Sequence, residues 1–237
     1  MFTHSKVPRM REQKYNPLEI PSYGTEDAAR YLHVRYQTLR YWILGGASNE
    51  PVIQIAQKRP PVLSFMDLLE CWVLASLRHK EGIPMRNIRS AVETLRENYD
   101  SKHPLAEAEF ETDGVFLFIH DAIGLVNLSK RDQRALEEIM KAYLRRIDRD
   151  VEGIARRLYP FTRPEHLNSR LDAPKVVMID PSVSFGRPVL INSGISTAVL
   201  ASRYRGGDTV LALAREYGRK PHEIEEAIRW EEGARAA

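Results

Sequence analysis

Apolar residues recur at helical spacing from the first patterned stretch of the chain. Ala28, Ala29 and Leu32 share one side of a segment opening at Thr25, with Glu26 and Asp27 suited to the positive end of a helix. This predicts a short helix capped by Thr25 and running to about Leu32. A tight turn at His33-Val34 leads to a second helix, Tyr36 to about Ile43, whose Leu39, Trp42 and Ile43 share a side; Gly45-Gly46 stops it. The period then changes. Val52-Ile53-Gln54-Ile55, Gln57-Lys58-Arg59-Pro60 and Val62-Leu63 read as a two-stranded wing with a polar, basic tip.

A helical pair occupies residues 64–100. Ser64 with Asp67 has the form of a capping box, and Phe65, Leu68, Leu69, Trp72, Val73, Ser76 and Leu77 follow at helical spacing. Gly82 ends that helix. Pro84 suits the first turn of the next, whose stripe is Ile88, Ala91, Val92 and Leu95. Glu107 to Ile119 reads as a hairpin around Thr112-Asp113-Gly114. Ser129 with Asp132 caps a helix to about Ile147, and a short strand, Ile154 to Tyr159, follows Gly153. Pro160, Pro164 and the polar Glu165 to Asp172 read as a linker.

The C-terminal stretch opens on the strand-like Val176-Val177-Met178-Ile179. Three short helices follow, at about 196–205, 208–217 and 221–232, divided by Gly206-Gly207 and by Gly218 with Pro221. Their expected core is Val199, Leu200, Val210, Leu213, Ala214, Tyr217, Ile224 and Ile228.

Charge refines this picture. The net charge of the 237 residues is only +3, but it is uneven. Between Arg30 and Arg59, Arg30, Arg35, Arg40, Lys58 and Arg59 stand against Glu50 alone, a local +4. The last helix carries Glu223, Glu225, Glu226, Glu231 and Glu232 against Arg229. The basic segment suits phosphate and the acidic end should avoid it. No apolar run approaches the ~20 residues of a membrane helix. The polar, basic Met1 to Glu19 lacks the apolar segment of a secretory signal and reads as a flexible arm. One cysteine, Cys71, lies in an apolar stretch, so an intrachain disulfide is impossible and a cytoplasmic setting is expected.

Gln37, Arg40 and Tyr41 share the face of the second helix opposite its apolar side. Arginine and glutamine suit base edges and phosphates of a major groove, and Arg35 sits at the helix start, within reach of phosphate. Lys58-Arg59 would position the helix on backbone phosphates without reading sequence. Ala28-Ala29-Arg30-Tyr31-Leu32-His33-Val34 followed by Thr38-Leu39-Arg40-Tyr41-Trp42 resembles the MerR-type winged helix-turn-helix, as does Leu63-Ser64-Phe65-Met66-Asp67-Leu68-Leu69 after the wing. The chain departs at His33, where that family usually has glycine in the turn. The resemblance implies DNA contact by Arg35, Tyr36, Gln37, Thr38, Arg40, Tyr41, Lys58 and Arg59, and a homodimer on operator DNA.

A second pattern comprises Asp180-Pro181, Phe185-Gly186-Arg187-Pro188-Val189, Gly194-Ile195, Gly206-Gly207-Asp208 and Ala227-Ile228. It resembles a small antitoxin-associated domain, domain of unknown function four-three-three, whose members are VapB-like. That resemblance implies a PIN-type ribonuclease toxin as partner. Asn192-Ser193-Gly194 stands where the family commonly has a Gly-Thr-led turn.

The fold class expected is α+β, mainly α. It comprises an arm (1–20), a MerR-like winged helix-turn-helix with its helical pair (21–100), a mixed middle region with a hairpin (101–171) and a three-helix antitoxin-like domain (174–232). Catalytic patterns are thin. His120-Asp121 would point to opposite faces of a strand, His222 with Glu226 lacks a third ligand nearby, and Asp180 before proline reads as a turn former. No catalytic residue, metal, cofactor or membrane is expected. The function expected is an antitoxin-like transcriptional regulator; the alternative is a stand-alone MerR-like regulator sensing a small ligand through residues 101–171.

Overall fold

A computed structural model of the chain describes residues 16–47, 49–77, 83–107, 110, 114–123, 129–163 and 173–236. The architecture is mainly helical with small antiparallel sheets, as the pattern predicts. Strand β1 (Tyr23–Gly24) leads into α1 (Thr25–Tyr31) and α2 (Tyr36–Leu44). Strands β2 (Gln57–Lys58) and β3 (Pro61–Leu63) follow, and β3 lies between β1 and β2 in one sheet. The wing is therefore shorter than expected. Val52, Ile53 and Ile55 form no strand there; they are buried beneath the sheet and α2, with the Val52 and Ile53 amides both donating to Trp42 O.

The helix-turn-helix closes as its sequence suggests, with one change of cap. Gly24, not Thr25, is the N-cap of α1, and the Thr25 hydroxyl instead donates to Pro61 O at 3.1 Å. Thr25 is buried against β3, and that long-range bond wins over local capping. His33 takes a left-handed φ of 52°, which lets the Val34 amide reach back to Ala29 O. Gly45 ends α2 at φ 75°, where a β-carbon would lie 2.2 Å from Asn49 O.

Helix α3 (Phe65–Ser76) is buried along its whole length. Its capping box forms: the Ser64 amide donates to Asp67 Oδ2 at 2.8 Å and the Asp67 amide to Ser64 Oγ at 3.1 Å. Helix α4 (Met85–Tyr99) buries the expected stripe Ile88, Ala91, Val92 and Leu95. The hairpin expected at Glu107 to Ile119 is overturned. Val115–Ile123 is helix α5, its Val115, Phe118, Ile119 and Ala122 buried at 3.6-residue spacing, while Thr112 and Asp113 lie outside the described residues. His120 and Asp121 therefore sit on an exposed helix surface, 3.4 Å apart, rather than on a strand. The middle region's hairpin is instead β4 (Ile147–Arg149) with β5 (Ala155–Leu158), preceded by α6 (Lys130–Leu144). Helix α6 thus stops before Ile147, whose side chain serves the sheet.

Trp72 ties α3 to α6: its indole N–H donates to Tyr143 O at 3.0 Å, and its ring lies 4.5 Å from Tyr143 and 5.4 Å from Phe161. Beyond the expected linker, whose residues 164–172 lie outside the described residues, β6 (Val177–Met178) pairs with β7 (Val189–Leu190). Helices α7 (Thr197–Arg205), α8 (Val210–Tyr217) and α9 (Pro221–Ala236) complete the fold. Leu200, Leu213, Ala214, Ile224 and Ile228 fill their core as predicted, but Val199 is exposed because Leu200 and Ala201 take the inner face. Among the described residues, no helix is long and apolar enough to cross a membrane.

Candidate nucleic-acid interface

Helix α2 presents its N-terminal half outward while Leu39, Trp42 and Ile43 anchor it. Arg35, Gln37 and Arg40 are exposed on it, and Lys58 and Arg59 are exposed at the wing turn. Among the described residues, none of Arg35, Arg40, Lys58 or Arg59 has an ion pair, so their charge is available to a polyanion. Arg30, counted with them from sequence, is committed elsewhere: it pairs with Asp27 at 3.0 Å and lies 3.6 Å from Glu231.

Tyr36, Thr38 and Tyr41 are only half-exposed. Tyr36 and Tyr41 pack against the core. The Tyr41 hydroxyl accepts from Arg89 at 3.5 Å, and Arg89 Nε donates to Glu50 O at 2.8 Å, bracing the loop after α2. Thr38 borders a small apolar groove of about 180 Å³ with Trp42, Leu74, Leu77 and Ile88. The most open side chains are thus Arg35 at the N-cap and Gln37 and Arg40 on the helix, two cations and an amide at the start of α2.

The reverse side of this element is held by the far end of the chain, which sequence patterns did not disclose. Trp230 of α9 is fully buried, its ring 5.9 Å from Tyr31 and 5.6 Å from His33 in the turn. Gly186, before β7, packs so closely on Tyr23 that a β-carbon there would lie 2.1 Å from the hydroxyl. Nor is α9 the free acidic face its composition suggests. Glu226 is buried against Thr162, Arg163 and Arg229; Glu231 accepts from Thr197 at 2.6 Å; Glu223 pairs with Arg219 and Glu232 with Arg205. Glu225 is exposed, with no ion pair among the described residues. His222 is exposed while Glu226 is buried, so the two do not form a site. Asp180 acts as a turn former, accepting from the Ser182 amide at 2.8 Å, and also holds Arg157 at 2.9 Å.

Burial pushes the His33 imidazole down to about 4, and its Nε2 has no hydrogen-bond partner. The unfolded chain binds this proton at the ordinary histidine pH, the folded chain only near pH 4. The neutral form therefore stabilises the fold fully above pH ~6.5, and this contribution is lost as pH falls from there toward 4, by at most about 3 kcal/mol. His33→Asn keeps a residue tolerant of left-handed φ and removes the titration. Urea unfolding at pH 7 and pH 4.5 should show a smaller acid loss in the variant than in the parent.

Residues 21–92 match the family model described as "Putative DNA-binding HTH domain". The N-terminal unit is a helix-turn-helix domain. Over 235 residues the chain is 27% identical to "Putative antitoxin VapB45" of Mycobacterium tuberculosis, spanning 89% of this chain and 93% of that one. It is 25% identical over 207 residues to "Uncharacterized protein Rv2308" of the same organism, covering 81% and 82% of the two chains. The crystal structure of Rv2018 from Mycobacterium tuberculosis superposes with a TM-score of 0.67 at 27% identity, over 88% of this chain and 98% of that one. The likeness thus spans most of the chain, well beyond the helix-turn-helix domain.

Sequence reasoning also passed over a buried polar cluster beneath the domain. Asp67 and Glu70 on α3 meet His103, which lies 33 residues beyond Glu70. A signal was present: two carboxylates three residues apart interrupt an otherwise apolar helix.

Proposed function

We propose that the protein is an antitoxin-like transcriptional regulator with a MerR-type winged helix-turn-helix that reads operator DNA as a homodimer. The observation that carries this reading is the unpaired basic set Arg35, Arg40, Lys58 and Arg59 around the exposed face of α2. Arg40 and Gln37 contact base edges, Arg35 supports them on phosphate, and Lys58 with Arg59 hold the flanking backbone. Tyr36, Thr38 and Tyr41 contribute through the half-exposed parts of their side chains. Dimerisation places two readers on a two-fold site. Arg40→Ala and Gln37→Ala should each weaken operator binding by about 1–3 kcal/mol and relax preference at one base position. Lys58→Ala should weaken binding evenly across sequences. Anisotropy titrations on operator and scrambled duplexes separate the two effects.

The second half of the proposal is neutralisation of a PIN-type ribonuclease toxin by residues 174–232. It is supported by the relative named as an antitoxin and by the exposed Phe185, Val199, Tyr204 and Leu211 of this unit, which suit a partner surface. Co-expression with the product of the neighbouring gene should yield a stable complex and restore growth arrested by that product. Leu211→Asp should weaken the complex while leaving operator binding unchanged. A neighbouring product that neither co-purifies nor is neutralised contradicts this half and leaves the DNA half standing.

A further inference from the structure

Three carboxylates converge on one buried imidazole beneath the helix-turn-helix domain. His103 Nδ1 lies 3.1 Å from Glu70 Oε2 and 3.6 Å from Asp67 Oδ1, and His103 Nε2 lies 3.0 Å from Glu19 Oε2. Asp67, Glu70 and His103 are each almost fully buried. The backbone holds one oxygen of each inner carboxylate: Asp67 Oδ2 accepts from the Ser64 amide at 2.8 Å and Glu70 Oε1 from the Leu105 amide at 3.3 Å. The other oxygen of each faces the imidazole, and Asp67 Oδ1 is buried there with no hydrogen-bond partner.

We propose that Asp67, Glu70 and His103 form a binding site for one divalent transition-metal cation, with Glu19 as the residue that orients the imidazole. Four features support it. Ligand atoms at about 2.0–2.2 Å from a tetrahedral ion stand roughly 3.4 Å apart, close to the two separations at Nδ1. One imidazole with two carboxylate oxygens is a donor set for zinc and its neighbours rather than for a soft, thiolate-bound ion. Glu19 Oε2 is placed to accept a hydrogen bond from Nε2–H, and in that tautomer the Nδ1 lone pair turns inward, the usual support of a metal-bound histidine. Charge fits the occupied site: with the imidazole a neutral ligand, three carboxylates against Lys102, which pairs with Glu19 at 3.0 Å, would leave two negative charges, the number a divalent ion cancels. A cleft of about 570 Å³ borders the outer side of the cluster, lined in part by Glu19, Lys102 and His103 but not by Asp67 or Glu70. Occupied, the site joins the segment entering the helix-turn-helix domain, helix α3 and the turn at His103.

The test uses the tag-free full chain, stripped with chelator and titrated with Co²⁺ and then Zn²⁺. The expected result is one Co²⁺ per chain with visible d–d bands, displaced by one equivalent of Zn²⁺, which raises Tm. Glu19→Gln should keep the stoichiometry and weaken binding about 10–100-fold. His103→Gln should abolish the bands; its near-UV circular dichroism reports whether it folds, and Glu19→Gln carries the test if it does not. Absence of saturable Co²⁺ and Zn²⁺ binding by the stripped parent overturns the proposal, since the cluster is then a protonated imidazole held between carboxylates. Binding unchanged in Glu19→Gln and His103→Gln also overturns it, because the ion then sits elsewhere.

Discussion

Trp230→Ala is expected to destabilise the whole protein by about 3–5 kcal/mol, the usual cost of removing a large buried aromatic. In a chain of this size that lowers Tm by roughly 10 °C. The reason lies in where the indole sits. It is fully buried, and it bridges α9 to Tyr31 and His33 of the helix-turn-helix. Its loss opens a cavity between the end of the chain and the domain near its beginning, so the damage is not local to α9. Trp230→Phe retains most of the apolar contact and removes an indole N–H that has no partner. It should cost less than half as much. Thermal unfolding by circular dichroism separates the two; a Tm within 1 °C of the parent for Trp230→Ala contradicts the docking.

Arg146→Ala should cost a similar amount, about 3–5 kcal/mol, because several charge-assisted hydrogen bonds disappear together. The guanidinium donates to Tyr159 O and Ala173 O, each at 2.7 Å, and to Pro174 O and Pro160 O at 3.1 and 3.3 Å. It also lies 4.9 Å from the Phe161 ring. Burial pulls its pKa down to about 10, so it remains charged at neutral pH. One side chain thus fastens the chain on both sides of residues 164–172. Arg146→Lys keeps the charge but not the planar fork, and should recover only part of the loss. Denaturant midpoints with an unchanged slope provide the measurement. A loss under about 1 kcal/mol for Arg146→Ala would show that these carbonyls find other partners.

Much of this fold was legible because it is local. The stripes Ala28, Ala29, Leu32 and Leu39, Trp42, Ile43, the stop at Gly45 and the Ser64–Asp67 capping box involve neighbours within a turn or two. What failed was set by distant partners. Thr25 gave up capping for a bond to Pro61, the first residue of β3, 36 residues away. The stretch from Val115 to Ile119 is rich in strand-forming residues, yet packing against α4 and α6 makes it a helix. Glutamates that composition reads as a free acidic face on α9 are mostly spent on Arg30, Thr162, Arg163, Thr197, Arg205 and Arg219.

The candidate interface divides the same way. Arg35, Gln37, Arg40, Lys58 and Arg59 were readable as exposed from helical phase and turn chemistry. The half-burial of Thr38 and Tyr41 depends on α3 and α4, which no short window contains. In the Asp67–Glu70–His103 cluster the two carboxylates on α3 were legible, but their partner His103, 33 residues beyond Glu70, was not.

DNA binding through α2 and the wing is tested by the salt dependence of binding to a duplex from the region upstream of the protein's own gene. The parent is titrated at several salt concentrations beside a variant with Arg35, Arg40, Lys58 and Arg59 all changed to Ala. Each lost phosphate contact should flatten the logarithmic salt slope by about 0.9, and affinity should fall by orders of magnitude. A variant that keeps the parent's Tm, affinity and slope would contradict the account, because DNA would then be held by another surface or not bound as proposed.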